Sequence, residues 1–361
     1  MRILIFFTFN KGLLSEFYKD LSYRLSSEGH EVFNFHLKHK PGQFEKFNVT
    51  FYSEKRGSLL KNYISTFQII KRVKPDIVVS NFGYINPAVL FGRLFGVKRN
   101  IAWFHTAYGF TKPNRLKVIN KTIYLNLADV VIANSQQLQK ELTAIYRVDP
   151  VKTRSVPFWT NILDTPTANV SIFKNLDSSV FKIGCPGRLE FEKNHQSVIK
   201  TLADLKTSSA QKIKLFIAGE GSYQPELKHL VKSLNLEQEV VFLGGLSAED
   251  MVGFYKSMNV IVLPSYHEAF GLVFIEAAAL GASILVSSKF GALNFIDRSK
   301  YDLSEFTFDP NSKTELEDKI RHYIEGSTIG LIDFKMLYDA TFDKDVIYKK
   351  IHSIIIGSEE V

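Results

Sequence analysis

The 361-residue sequence predicts an α/β chain built from two doubly wound, mostly parallel sheets. Three observations carry that expectation. Short runs of Val, Ile and Phe recur without polar alternation, as strands covered on both faces require. Amphipathic segments separate them, which is the rhythm of right-handed crossovers. The rhythm stops once, at residues 162–180, and then restarts. The length agrees, because roughly 100–200 residues make one domain.

In the first half the spacing predicts strands at 3–7, 31–35, 77–80, 100–104, 130–133 and 153–156. Helices are expected between them at 13–26, 58–72, 87–94, 117–126 and 136–145. The opening Met1-Arg2-Ile3-Leu4-Ile5-Phe6-Phe7 imitates a signal peptide, but Asn10 and Lys11 end it early and no small-residue cleavage site follows. A buried first strand is expected instead. The turn-rich Asp164-Thr165-Pro166-Thr167-Ala168-Asn169 reads as a linker. Beyond it, strands are expected at 181–185, 214–218, 240–243, 260–263 and 283–286. Helices are expected at 194–205, 223–234, 248–256, 272–279 and 314–323, and residues 342–355 are apolar at helical spacing. The domains are therefore 1–162 and 163–341, with the tail 342–361 packing back on the first.

Composition excludes several classes. One cysteine, Cys185, leaves no intrachain disulfide framework and no multi-cysteine zinc site. No run approaches the ~20 apolar residues of a membrane span. The net charge of +8 is uneven: residues 1–160 hold 24 Lys+Arg against 10 Asp+Glu, and residues 161–361 hold 21 against 27. A basic first half suits nucleic acid, an anionic membrane surface or an acidic substrate.

Two segments carry chemistry. In Leu263-Pro264-Ser265-Tyr266-His267-Glu268-Ala269-Phe270-Gly271-Leu272-Val273-Phe274-Ile275-Glu276, a strand ends at Pro264 and a helix starts near Gly271 or Leu272. Free N–H groups at such a helix start make an anion site. Glu268 sits in the loop, where its carboxylate accepts from hydroxyls. Glu276 lies among apolar neighbours and needs a partner. The second segment, Cys185-Pro186-Gly187-Arg188-Leu189-Glu190-Phe191-Glu192-Lys193-Asn194-His195, also joins a strand to a helix. Arg188 offers a planar fork and Lys193 a point charge for phosphate oxygens. Together they neutralise a leaving diphosphate.

These segments resemble the family-4 retaining glycosyltransferases of GT-B architecture, in which two Rossmann-like domains face a cleft and a C-terminal helix crosses back to the first domain. The most specific feature is Glu268 to Glu276, seven residues between them, within P-S-x-x-E-x-F-G-L-V-x-x-E-A. Further matches are Gly187-Arg188 with Lys193-Asn194, residues 215–222, Val241-Phe242-Leu243-Gly244, residues 128–135 and Val156-Pro157. The resemblance implies that Arg188 and Lys193 hold the donor diphosphate and that Glu276 accepts from the ribose. It implies that Glu268 meets the donor sugar and that the amides of Phe270, Gly271 and Leu272 meet phosphate and sugar. Gly219 lies near the nucleotide, Leu243 and Gly244 border the base, and His105 and Gly12 stand on the acceptor side. The implied catalytic set is Glu268, His105, Arg188 and Lys193.

The sequence departs from the family at Asn10-Lys11-Gly12, where a double glycine is usual, at Phe158-Trp159-Thr160-Asn161, at Ser222-Tyr223 and at His105-Thr106. No D-x-D motif ends a strand; Asp343-Lys344-Asp345 precedes the tail helix as a solvated cap. The expectation is a cytoplasmic, metal-independent hexosyltransferase without cofactor, for which the nucleotide-sugar is a substrate. UDP-sugars are favoured, then GDP-mannose. Retention is open to two routes, double displacement with Glu268 as nucleophile or same-face attack with the leaving phosphate taking the acceptor proton, of which sugar positioning by Glu268 and same-face attack is preferred. The acceptor is a glycan or a lipid-diphosphate-linked sugar, in cell-surface polysaccharide or glycolipid synthesis. Residues 108–121, with Arg93, Lys98 and Arg99, form a basic amphipathic patch suited to the inner face of an anionic membrane. Nucleic acid is disfavoured, because the cations belong to no recognition motif. A sugar-nucleotide epimerase of the same architecture remains the alternative, and a non-catalytic sugar-nucleotide sensor is a further one.

Overall fold

Arg2–Phe6 forms the first strand, β1, and its last four residues are buried. An apolar run covered on both faces calls for helices above and below the sheet. The computed structural model describes residues 1–10, 12–38, 40–106, 114–162, 177, 179–326 and 332–358. The chain divides into two compact units, Met1–Asn161 with Lys344–Val361, and Ile162–Asp343.

The first unit adds β2 (Glu31–Lys38), β3 (Gly42–Lys46), β4 (Val49–Lys55), β5 (Ile77–Asn81), β6 (Arg99–Phe104), β7 (Val130–Ala133) and β8 (Thr153–Ser155). Their order is β3-β4-β2-β1-β5-β6-β7-β8. The pairs are parallel except β3 with β4. Ile3 lies opposite both Val32 and Ile77, so β1 is the strand from which the sheet winds in two directions. Leu4, Phe6, Phe35 and Val78 pack with Ile69, Ile70 and Val73 of helix Leu59–Val73. Ser58 caps that helix by accepting from the Lys61 amide.

The hairpin β3–β4 was not expected from the sequence. Gly-Gln-Phe-Glu-Lys is exposed at all five positions, so no buried face marks it. It pairs through its backbone at the sheet edge, where charged residues discourage further pairing.

The tail helix spans Lys344–Ile356 and belongs to the first unit. Tyr348, Ile351, Ile354 and Ile355 are buried. Arg99 donates to the Ile354 carbonyl at 3.0 Å. The expected solvated cap is instead engaged, with Asp345 accepting from Arg24 at 2.7 Å and Lys344 pairing with Asp20 at 2.9 Å. The preceding helix Phe334–Thr341, also unanticipated, stays in the second unit, where Phe342 packs on Phe270 and Phe274.

The second unit contains β9 (Phe181–Pro186), β10 (Ile213–Ala218), β11 (Val240–Gly244), β12 (Val260–Leu263), β13 (Ile284–Ser287) and β14 (Thr307–Phe308). Their order is β11-β10-β9-β12-β13-β14, all parallel. This is the Rossmann order, with its switch point between β9 and β12. β14 was missed because two residues have no periodicity. The expected linker, Asp164–Asn169, lies outside the described residues. Among those described, no helix is long and apolar enough to cross a membrane.

Candidate functional site

In an open α/β sheet the ligand crevice lies beyond the carboxyl ends of the strands at the switch point. In the second unit that place is the mouth of β9 and β12. Both sequence segments singled out above meet there.

Main-chain hydrogen bonds lace the loops on the β9 side together. The Gly187 N–H donates to the Ala218 carbonyl at 2.9 Å, Leu189 N–H to Glu220 at 2.9 Å, and Gly219 N–H to Gly244 at 2.8 Å. Gly219 has φ of 144°, and a Cβ there would lie 1.9 Å from the Gly187 carbonyl oxygen. Only glycine allows this approach. Arg188 is exposed on the loop so formed. Leu243 and Gly244 end β11, half-buried, and the Glu220 carboxylate accepts from the Gly245 N–H at 3.3 Å. Ser222 donates to Glu190 at 2.7 Å and holds its carboxyl below the usual range.

Lys193 closes a short 3-10 turn, Phe191–Lys193. Asn194 follows in the left-handed region, φ 56°, and its side-chain amide donates to the Pro264 and Pro310 carbonyls, each at 3.1 Å. Those bonds tie the β9 loop to the end of β12. Lys193 pairs there with Glu268, 75 residues further along, each side chain about one-fifth exposed. The backbone of Glu268 is held by Lys289 and Gly291. Phe270 is buried, and Gly271, at φ 100°, caps helix Leu272–Ala279. A Cβ on Gly271 would stand 2.2 Å from the Phe290 ring. The Phe274 N–H donates to the Gly271 carbonyl at 3.0 Å, and the Leu272 and Val273 amides precede this first bond of the helix.

Glu276, one turn in, is 5% exposed. Its partner is Tyr255, whose hydroxyl donates at 3.0 Å. Burial pushes the carboxyl up to about 7, against the opposing pull of that bond. Tyr255 was not foreseen, because it sits on helix Ala248–Ser257, 21 residues away. His195, at the end of the segment that opens with Cys185, carries no role that the sequence assigns. It is buried, neither ring nitrogen has a hydrogen-bond partner among the described residues, and burial lowers its pKa to about 4.

In the first unit, Gly12 is exposed and caps the helix Leu13–Ser27, accepting the amides of Ser15 and Glu16. That helix supplies Tyr18. The Tyr18 hydroxyl lies 3.0 Å from Nε2 of His105, and Asn134 Oδ1 lies 2.5 Å from Nδ1. With the Asn134 oxygen so placed, Nδ1 carries the proton and Nε2 accepts from Tyr18. His105 stands just past β6, with Phe82 at 4.7 Å and Phe158 at 5.7 Å between ring centroids. Burial among these rings lowers its pKa to about 3, so the imidazole is neutral at physiological pH. Neither Tyr18 nor Asn134 was assigned a role from sequence.

The basic patch is smaller than expected. Residues 108–113 lie outside those described. Lys98 pairs with Asp76 at 2.8 Å, Arg93 pairs with Asp129, and Arg99 bonds the tail helix. Lys121 turns over the Phe104 ring, where burial lowers its pKa. Arg115 and Lys117 remain exposed on helix Arg115–Leu127, beside exposed Leu116, Ile119 and Ile123.

The chain is similar to known proteins over most of its length. Residues 15–161 match the family model Glycosyltransferase Family 4, and residues 171–330 match Glycosyl transferases group 1. An uncharacterized glycosyltransferase of Methanocaldococcus jannaschii is 33% identical over 126 residues, 35% of this chain and 32% of its own. The alpha-monoglucosyldiacylglycerol synthase of Streptococcus pneumoniae is 25% identical over 319 residues, 77% of this chain and 70% of its own. The chain spans from about one-third to just under two-thirds of the first three curated relatives, 32%, 60% and 65%. The structure of Anabaena HepE in complex with UDP and glucose superposes with a TM-score of 0.79 at 18% identity, covering 99% of this chain and 100% of that one. The expected GT-B fold class is therefore present, with two Rossmann-like units and a tail helix that returns to the first. Carrying one matched module in each half, the chain belongs to the GT-B-type glycosyltransferases.

Proposed function

We propose that this chain transfers a hexosyl group from a nucleotide-sugar, a UDP-sugar before GDP-mannose, to a glycan or lipid-diphosphate-linked acceptor, with retention and without a divalent metal. The observation that carries the reading is the meeting of Lys193, Glu268 and a glycine-capped helix start at the β9/β12 switch point. A departing diphosphate gains charge, and the ammonium, Arg188 and the helix amides stabilise it as it forms. Glu268 accepts from the sugar hydroxyls while paired to Lys193. This positions the sugar and leaves its reactive face open to same-face attack, with the leaving phosphate taking the acceptor proton. Glu276 receives the ribose hydroxyls. Neutral His105 orients a hydroxyl and does not act as a general acid. HepE was solved with UDP, which supports the UDP preference.

The first unit holds the acceptor. The stripe Leu116, Ile119 and Ile123 turns apolar side chains outward beside Arg115 and Lys117, a face suited to an anionic bilayer. The synthase of S. pneumoniae, named for a diacylglycerol product, supports a lipid acceptor. Product analysis tests the whole: transfer from UDP-sugar requires an acceptor, gives the retained anomer and survives EDTA. Conversion of donor alone would establish the epimerase instead.

A further inference from the structure

The geometry points to a transition-metal site in the first unit, formed by Glu28, His30 and His352, that fastens the tail helix to the sheet. Glu28 is the C-cap of helix Leu13–Ser27, and His30 stands two residues on, just before β2. Gly29 between them takes φ of 85°, a turn that brings both side chains to one side of a short bend. His352 comes from the tail helix, 322 residues away in sequence from His30.

The Nε2 atoms of His30 and His352 lie 3.3 Å apart, and Glu28 Oε2 lies 2.9 Å from Nε2 of His352. The three ligand atoms fall within 4.8 Å of one another. A tetrahedral ion with bonds of about 2.0–2.1 Å to nitrogen separates its ligand atoms by about 3.3 Å. The imidazole pair already stands at that spacing. Two imidazoles and one carboxylate select zinc and its neighbours over magnesium or calcium, and leave one position for water. Without an ion, a proton on His352 Nε2 is shared between Glu28 and the His30 ring, whereas a cation serves all three atoms at once.

The ligands are anchored. The His30 N–H donates to Leu25 and the Glu31 N–H to Met1. The tail helix is pinned by Arg99 at Ile354 and by its buried isoleucines. The site lies at the amino end of the sheet, whereas His105 follows the carboxyl end of β6. With β1 five residues long, those ends are about 17 Å apart. The ion is thus structural, independent of the transfer reaction proposed above.

The test uses the full chain, stripped by chelator and titrated with Zn2+ against a chromophoric competitor, and with Co2+ for its visible spectrum. One ion per chain is expected, with the intense bands of four-coordinate cobalt and a melting temperature raised by Zn2+. His30→Ala and His352→Ala lose affinity by about tenfold or more and lose the zinc-dependent shift. Glu28→Gln, half-exposed and near-isosteric, guards against misfolding and shows the same loss. No stoichiometric binding by the wild-type chain, or binding undiminished in all three variants, overturns the proposal.

Discussion

The two units share a way of winding a sheet and differ in what they place at its carboxyl end. In the second, the switch point carries opposite charges, Lys193 and Glu268, beside a helix start and a buried carboxyl. In the first, His105 is neutral, boxed by Tyr18, Asn134, Phe82 and Phe158. The bulk charges run the other way: residues 1–160 carry net +14 and residues 161–361 net −6. Local chemistry is therefore set by a few oriented groups, while bulk charge governs which surfaces approach. On the proposed reading, the second unit supplies charge where a diphosphate forms, and the first supplies shape and neutral hydrogen bonds to an acceptor.

Lys193→Ala breaks this contrast most directly. Turnover should fall by about 10²–10³-fold with little change in melting temperature. His105→Ala should cost less in kcat; equal losses in the two variants would erase the distinction between units. Gly219→Ala comes next. Its left-handed φ and the nearby Gly187 carbonyl cost about 1–3 kcal/mol of stability in urea unfolding, and more if the loop cannot shift. Gly12→Ala, at φ −82° and exposed, should cost less, about 0.5–1 kcal/mol, because alanine caps a helix less well than glycine while its Cβ meets only the Asn10 side chain, at 3.0 Å. A Gly219→Ala chain as stable as wild type would refute the need for close loop packing.

Both units hide a histidine whose pKa is lowered, to about 3 for His105 and about 4 for His195. The unfolded chain takes up protons that these rings refuse, so stability falls as pH drops below about 6.5. For buried His195 the loss between pH 7 and 5 is on the order of 1–2 kcal/mol. His195→Gln should flatten that slope in thermal melts at the two pH values.

A titration of nucleotide binding tests the second unit alone. The Glu276 carboxyl, raised to about 7, favours the folded state fully below the ordinary carboxylate range and loses that contribution as pH rises through 7. With the proposed ribose contact made to its ionised form, UDP affinity should weaken below pH 7 by up to about tenfold per unit. Tyr255→Phe removes the bond that favours ionisation and should move the midpoint upward. Affinity unchanged from pH 6 to 8 would remove Glu276 from the ribose contact.

Much of this was legible in the residues. Buried parallel strands write themselves as apolar runs, and β7 and β12 begin and end where those runs do. The loop from Pro264 to Glu276 declared its turn, cap and helix through proline, glycine and the apolar flank of Glu276. What stayed hidden was lateral. Tyr255 reaches Glu276 from another helix, and Tyr18 and Asn134 reach His105 from two other elements. Such pairings depend on sheet order, which local periodicity does not encode. The β3–β4 hairpin was hidden for the opposite reason: an edge held by backbone bonds has no side-chain pattern to read.

The tail helix has a consequence for how the molecule is made. The second unit is an insertion within the first, since the chain leaves the first at Asn161 and re-enters at Lys344. During synthesis, the second unit emerges and can close its core before the first receives the helix Lys344–Ile356. Until Tyr348, Ile351, Ile354 and Ile355 arrive, the surface they cover stays bare. Of the two sheets, the one made first is thus the last to be finished, and a chain stopped at Asp343 would carry a complete second unit on an open first unit.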